Sequence, residues 1–127
     1  MPFDNPHQTP FSDVERLLAA RSRISNRDHW VKHRFQDGDR YCLVATLSVA
    51  SGSQSYNHPN RVERRLSRLL AKQLPPSFAF SQLRLFTSRW RLTCFNDSHR
   101  TRHEDVIALF DRTVDHLTKR PVYISYT

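Results

Sequence analysis

The chain has 127 residues, the size of one domain, and can bury roughly two-thirds of the surface its unfolded form exposes. Two cysteines without a spacing motif and no run of about 18 apolar residues exclude a disulfide scaffold and a transmembrane helix. The net charge of +8 is carried by arginine more than lysine, and it points to nucleic acid or an acidic protein as partner.

Residues 1–11, with Pro2, Pro6 and Pro10, read as an irregular N-terminal arm ahead of a single helical domain over 12–127. The N-terminus has neither a positive nor an apolar signal region, so a cytoplasmic protein is expected. Ser12-Asp13-Val14-Glu15 is a capping box that opens a first helix, with Val14, Leu17, Leu18 and Ile24 near one face. A short second helix is expected to carry Trp30, Val31 and Phe35 to a turn at Asp37-Gly38-Asp39.

Tyr41–Ala50 is almost wholly apolar, and a central buried helix is expected there, since Ala45, Ser48 and Ala50 permit close packing. The clearest amphipathic helix spans 59–74, with Val62, Leu66, Leu69 and Leu70 on one side. Arg61, Arg64, Arg65, Arg68 and Lys72 line the other side, and Pro75-Pro76 ends the helix. Residues 78–95 carry a helix that unwinds before Asn96, with Trp90 read as core and Asn96-Asp97 as an Asx-turn. Thr101-Arg102-His103-Glu104 is a second capping box, opening a last helix that Pro121 stops. The tail Val122–Tyr126 has the composition of a short strand. The fold class is therefore mainly α, one compact domain of about five helices with a short C-terminal strand.

Two function classes compete. Five cations over about 16 Å of helix can follow several phosphates with salt-sensitive affinity. The leading expectation is a non-enzymatic binding or regulatory protein whose basic face engages nucleic acid or an acidic partner. The alternative is a thiol-dependent hydrolase or transferase. In it, Cys42 sits in the first turn of a helix, where the dipole lowers a thiol pKa, and His99 or His103 with Asn96 or Asp97 completes the set. A cysteine followed by Leu43-Val44-Ala45 is otherwise simply buried. The pairs His29/His33 and His99/His103 stand at i, i+4, but no Cys or carboxylate stands at a recognised zinc spacing. No metal, cofactor or membrane partner is expected.

Trp30, Gly38 followed by Tyr41-Cys42-Leu43, Asn96-Asp97, and Thr101 with Asp105-Val106 carry one further signal. Over residues 28–118 the chain resembles a family of small bacterial and phage proteins known only as a domain of unknown function. That family usually shows Cys-x-x-Gly-Ala-Leu. Ala45-Thr46-Leu47 here imply slightly looser helix packing. The resemblance brings no reaction, cofactor or partner, and it implies that Cys42 and Asn96-Asp97 belong to one design and meet in space.

Overall fold

A computed structural model of the chain describes residues 10–78 and 87–124, with the side chains of 12–78 and 87–119. Among them are five α-helices and one two-stranded hairpin: α1 (Pro10–Arg23), β1 (Gln36–Asp37), β2 (Arg40–Tyr41), α2 (Leu43–Ser51), α3 (Arg61–Ala71), α4 (Ser88–Asp97) and α5 (His103–Ile124). The mainly helical single domain expected from sequence is what is observed. Helix α2 lies at the centre, packed against α1, α3 and α4, while α5 closes the side formed by α1 and α3.

Nine residues are too few for a helix to persist in water, and Val44, Thr46 and Val49 add no propensity. Packing therefore holds α2. Leu43, Val44 and Leu47 are fully buried in one cluster with Leu17 of α1, Ile24 just after it, Leu66 and Leu70 of α3, and Leu92 of α4. Each contributes about 2 kcal/mol by burial, which outweighs the weak propensity. Gly52, at φ 72, closes α2 with a left-handed cap.

Several local expectations are corrected. Helix α1 begins at Pro10, not at Ser12, because proline is pre-set for the first helical position. Two residues assigned to the arm thus belong to the helix, and 1–9 lie outside the described residues. Leu18 is 47% exposed, so the inner face of α1 is Val14, Leu17 and Ala20, continued by Ile24 just after the helix. The second helix is absent: only a 3₁₀ turn forms at Arg27–His29, and Trp30 is extended, bridged to Tyr41. Asn26 closes that turn through its own side chain, the local bonding that competes with a longer helix. The hairpin turn falls where expected. Gly38 takes φ 65 at the first loop position, a conformation that glycine adopts without steric cost.

Helix α4 does not unwind before Asn96; it includes Asn96 and Asp97. The part of that expectation on 79–86 lies outside the described residues. The cap of α5 is shifted by one residue: Asp105 Oδ2, not Glu104, accepts the Arg102 N–H at 2.8 Å. Pro121 does not stop α5, which runs to Ile124. A proline this close to a helix end forfeits a single backbone hydrogen bond, so the helix passes over it. Residues 122–124 are accordingly helix rather than strand, and 125–127 lie outside the described residues.

Two buried ion pairs join the helices. Arg65 of α3 grips Asp13 of α1, with Nη2 to Oδ1 at 2.7 Å and Nε to Oδ2 at 3.2 Å. Glu63 is fully buried, and its carboxylate accepts from Ser53 Oγ at 2.7 Å and from Arg89 Nε of α4 at 3.1 Å. Arg89 also donates to the Tyr56 carbonyl and lies over the Phe35 ring, so one side chain ties α4 to α3 and to the loop between α2 and α3. Removing one partner of a buried pair leaves the other charge uncompensated. We expect Arg89→Met to cost about 3–5 kcal/mol in urea denaturation, with much of that recovered when Glu63→Gln is added.

Candidate functional site

The sequence offered two places for a site, the Cys42/Asn96/Asp97 set and the basic face of α3. The structure treats them differently.

Cys42 caps α2. Its backbone is extended (φ −84, ψ 172) and its Sγ accepts the Ala45 N–H at 3.3 Å. Asn96 reaches across from the last turn of α4. Its Oδ1 accepts the Leu43 N–H at 3.1 Å and Trp30 Nε1–H at 2.7 Å, while its Nδ2 donates to the Val31 carbonyl at 3.1 Å and to Asp97 Oδ1 at 3.0 Å. Both lone pairs and both N–H donors of that carboxamide are thereby used. Asn96-Asp97 is thus not an Asx-turn that shapes its own loop. It is a clamp between the end of α4, the start of α2 and the extended segment at Trp30-Val31.

Asp97 extends the clamp. Its Oδ1 accepts the His33 N–H at 2.8 Å and its Oδ2 lies 3.9 Å from His33 Nδ1. His33 stands at φ 66, a left-handed conformation that side-chain-bearing residues seldom adopt. The aspartate bond holds it there. Cys42, Asn96, Asp97, His33, Phe35 and Trp90 border one open cavity of about 240 Å³. Trp90 is 50% exposed at its rim rather than core as expected, because Leu92 and Phe95 form the inner face of α4.

The histidines expected to serve Cys42 lie elsewhere. His103 donates its Nε2–H to the Ile24 carbonyl at 2.5 Å and rests against the Trp30 ring, and His99 shares a separate hollow with it. The structure thus joins Cys42 to Asn96 and Asp97 but not to His99 or His103. The thiol is also the wrong kind for a nucleophile. Cys42 is 5% exposed, and burial pushes its pKa from near 9 up to about 11, against the lowering by the Ala45 and Val44 N–H groups. The dipole effect expected from sequence is real but smaller than desolvation.

The basic face of α3 loses one member. Arg65 is turned to Asp13, whereas Arg61, Arg64, Arg68 and Lys72 are exposed. Among the described residues none of these four is in an ion pair. Sequence reasoning missed the bond of His33 to Asp97, since a left-handed backbone at histidine has no local signature, and the Glu63–Arg89 pair, whose partners are 26 positions apart.

Two outcomes are expected from this geometry. Asn96→Ala leaves the Leu43 and Trp30 donors unmet in the interior and should cost about 3 kcal/mol, seen as a lowered urea midpoint. Cys42→Ser preserves the cap and should stay within about 1 kcal/mol of wild type at neutral pH, whereas Cys42→Ala loses the cap. Because the folded thiol pKa is raised, its contribution to stability is full below pH 9 and is lost as pH rises toward about 11. Thermal melts from pH 8 to 11 should therefore fall more steeply for wild type than for Cys42→Ser.

The profile of a family of unknown function, DUF6197, matches residues 8–116, which takes in every element from α1 to most of α5. No curated protein and no solved structure matches the chain. Among the described residues no helix is long and apolar enough to cross a membrane.

Proposed function

We propose that this chain, which belongs to the DUF6197 family of unknown function, is a non-enzymatic nucleic-acid-binding protein whose contact surface is the exposed face of α3. The supporting observation is the state of that face. Arg61, Arg64, Arg68 and Lys72 project from one helix over about 16 Å, exposed and outside any ion pair of the described residues. Arg65 of the same helix is instead turned to Asp13. The row's length and spacing suit a run of phosphates, and its cations would release counterions on contact.

The thiol-enzyme reading is the weaker one. Its nucleophile is buried, capped by a backbone N–H and disfavoured as thiolate, and both histidines named for it border a different hollow, His103 bonded there to the Ile24 carbonyl.

Fluorescence anisotropy with labelled single- and double-stranded oligonucleotides across a salt series tests the proposal. Affinity on duplex should fall with salt, and Arg61→Gln, Arg68→Gln and Lys72→Gln should each reduce the log–log slope by about 0.9. Arg65→Gln should lower stability and leave that slope nearly unchanged. Absence of binding at low salt to every oligonucleotide defeats the reading.

A further inference from the structure

Between α3 and the start of α4 runs a groove of about 270 Å³, bordered by Pro59, Arg64, Ser67, Arg68, Thr87 and Ser88, with Arg89 at its inner end. Among the described residues no carboxylate lines it. Arg64 and Arg68 bring positive charge to its rim, and Arg64 is steadied there by donating Nη1–H to the Pro59 carbonyl at 2.8 Å. The charge of Arg89 is already met by Glu63, so the groove's open cations are the two from α3.

Its far wall is the N-terminus of a ten-residue helix. The Thr87 side chain accepts the Trp90 N–H, and the Thr87 carbonyl takes the first helical bond from Arg91. The N–H groups of Ser88 and Arg89 stand ahead of that first bond and have no acceptor within the helix.

Ser67 supplies the independent observation. It is 1% exposed, and its hydroxyl has no hydrogen-bond partner among the described residues. Helical hydroxyls can bond a carbonyl of their own helix, as Thr46 does to Leu43 and Thr113 to Leu109. Ser48 and Ser51 of α2, like Ser67, make no such bond, and of these three serines Ser67 is the one that borders the groove. Ser67 forgoes that bond while bordering the groove. A buried donor left unmet costs about 1–3 kcal/mol. A ligand oxygen in the groove would recover that cost.

We infer that this groove is a seat for a phosphomonoester group, held by Arg64 and Arg68, the first N–H groups of α4 and the Ser67 hydroxyl. Donors on three sides match a tetrahedral dianion better than a planar carboxylate. The seat extends the nucleic-acid reading above, because a 5′-terminal phosphate reaching past the α3 row would enter it. A free phosphate-bearing small molecule would present the same group.

The test uses 5′-phosphorylated and 5′-hydroxyl versions of one single-stranded oligonucleotide, and inorganic phosphate alone followed by amide NMR shifts. Wild type should prefer the phosphorylated strand about tenfold, the factor that ~1.4 kcal/mol represents. Ser88→Pro should remove most of that preference. Proline suits the first helical position and deletes one donor, and Thr87 already has the extended backbone (φ −65, ψ 160) that a following proline requires. Ser67→Ala should also lower the preference while leaving the melting temperature equal or higher, which a purely structural hydroxyl would not do. Equal affinity for the two strands, with no phosphate-induced shifts at Ser67 or Ser88, overturns the seat and leaves the α3 reading standing. Phosphate shifts at those residues without binding of either strand support the seat, assign it to a small phosphate-bearing molecule, and remove the nucleic-acid reading. A tenfold preference unchanged in both variants overturns the assignment to this groove.

Discussion

A helix whose N-terminus is buried must have its first N–H groups satisfied from outside its own ladder. Helix α2 begins in the interior, and the rest of the molecule is arranged around that requirement. Asn96 accepts the Leu43 N–H and Cys42 accepts the Ala45 N–H. Because Asn96 is on the last turn of α4, satisfying α2 also sets where α4 ends. Because the same carboxamide holds Trp30 and Val31, it also sets the path of the chain from α1 to the hairpin. His33 and Asp97 follow from that path.

Helix α4 is held at its other end by a different force. The Arg89 guanidinium, paired with the buried Glu63 carboxylate, fixes its first turn against α3. The helix presents Leu92 and Phe95 inward and leaves Trp90 and Ser88 bordering open grooves. Both cavities that border α4 therefore owe their shape to buried polar bonds rather than to apolar packing. Polar bonds have fixed directions, so they are the better means of holding a recess open.

The two cavities differ in chemistry. The one over Cys42 is walled by aromatic rings and by a carboxamide whose hydrogen-bonding positions are all used, with a thiol that burial keeps protonated. The one beside α3 carries uncompensated arginines, a helix N-terminus and an unmet hydroxyl. Electrostatics favours the second for an anionic partner, and this moves the centre of interest away from the cysteine.

Much of this was legible in the sequence. The apolar run at 41–50 and the 3.6-residue period over 59–74 determined the two central helices, since burying an apolar run or stripe leaves few alternatives. The charged face of α3 was equally plain. Glycine at 38 marked the hairpin turn because its left-handed conformation is a local property. What only the tertiary structure decided were the pairings between distant side chains. Arg65 and Arg68 are alike in sequence, yet one meets Asp13 and the other faces solvent. Glu63 and Arg89 are 26 positions apart and meet only because α3 and α4 lie side by side. Cys42 had a helix-start position that lowers a thiol pKa and a burial that raises it, and only the depth of the fold made burial the larger effect. Periodicity reports which face of a helix is apolar; it carries no information on which distant residue will be opposite it.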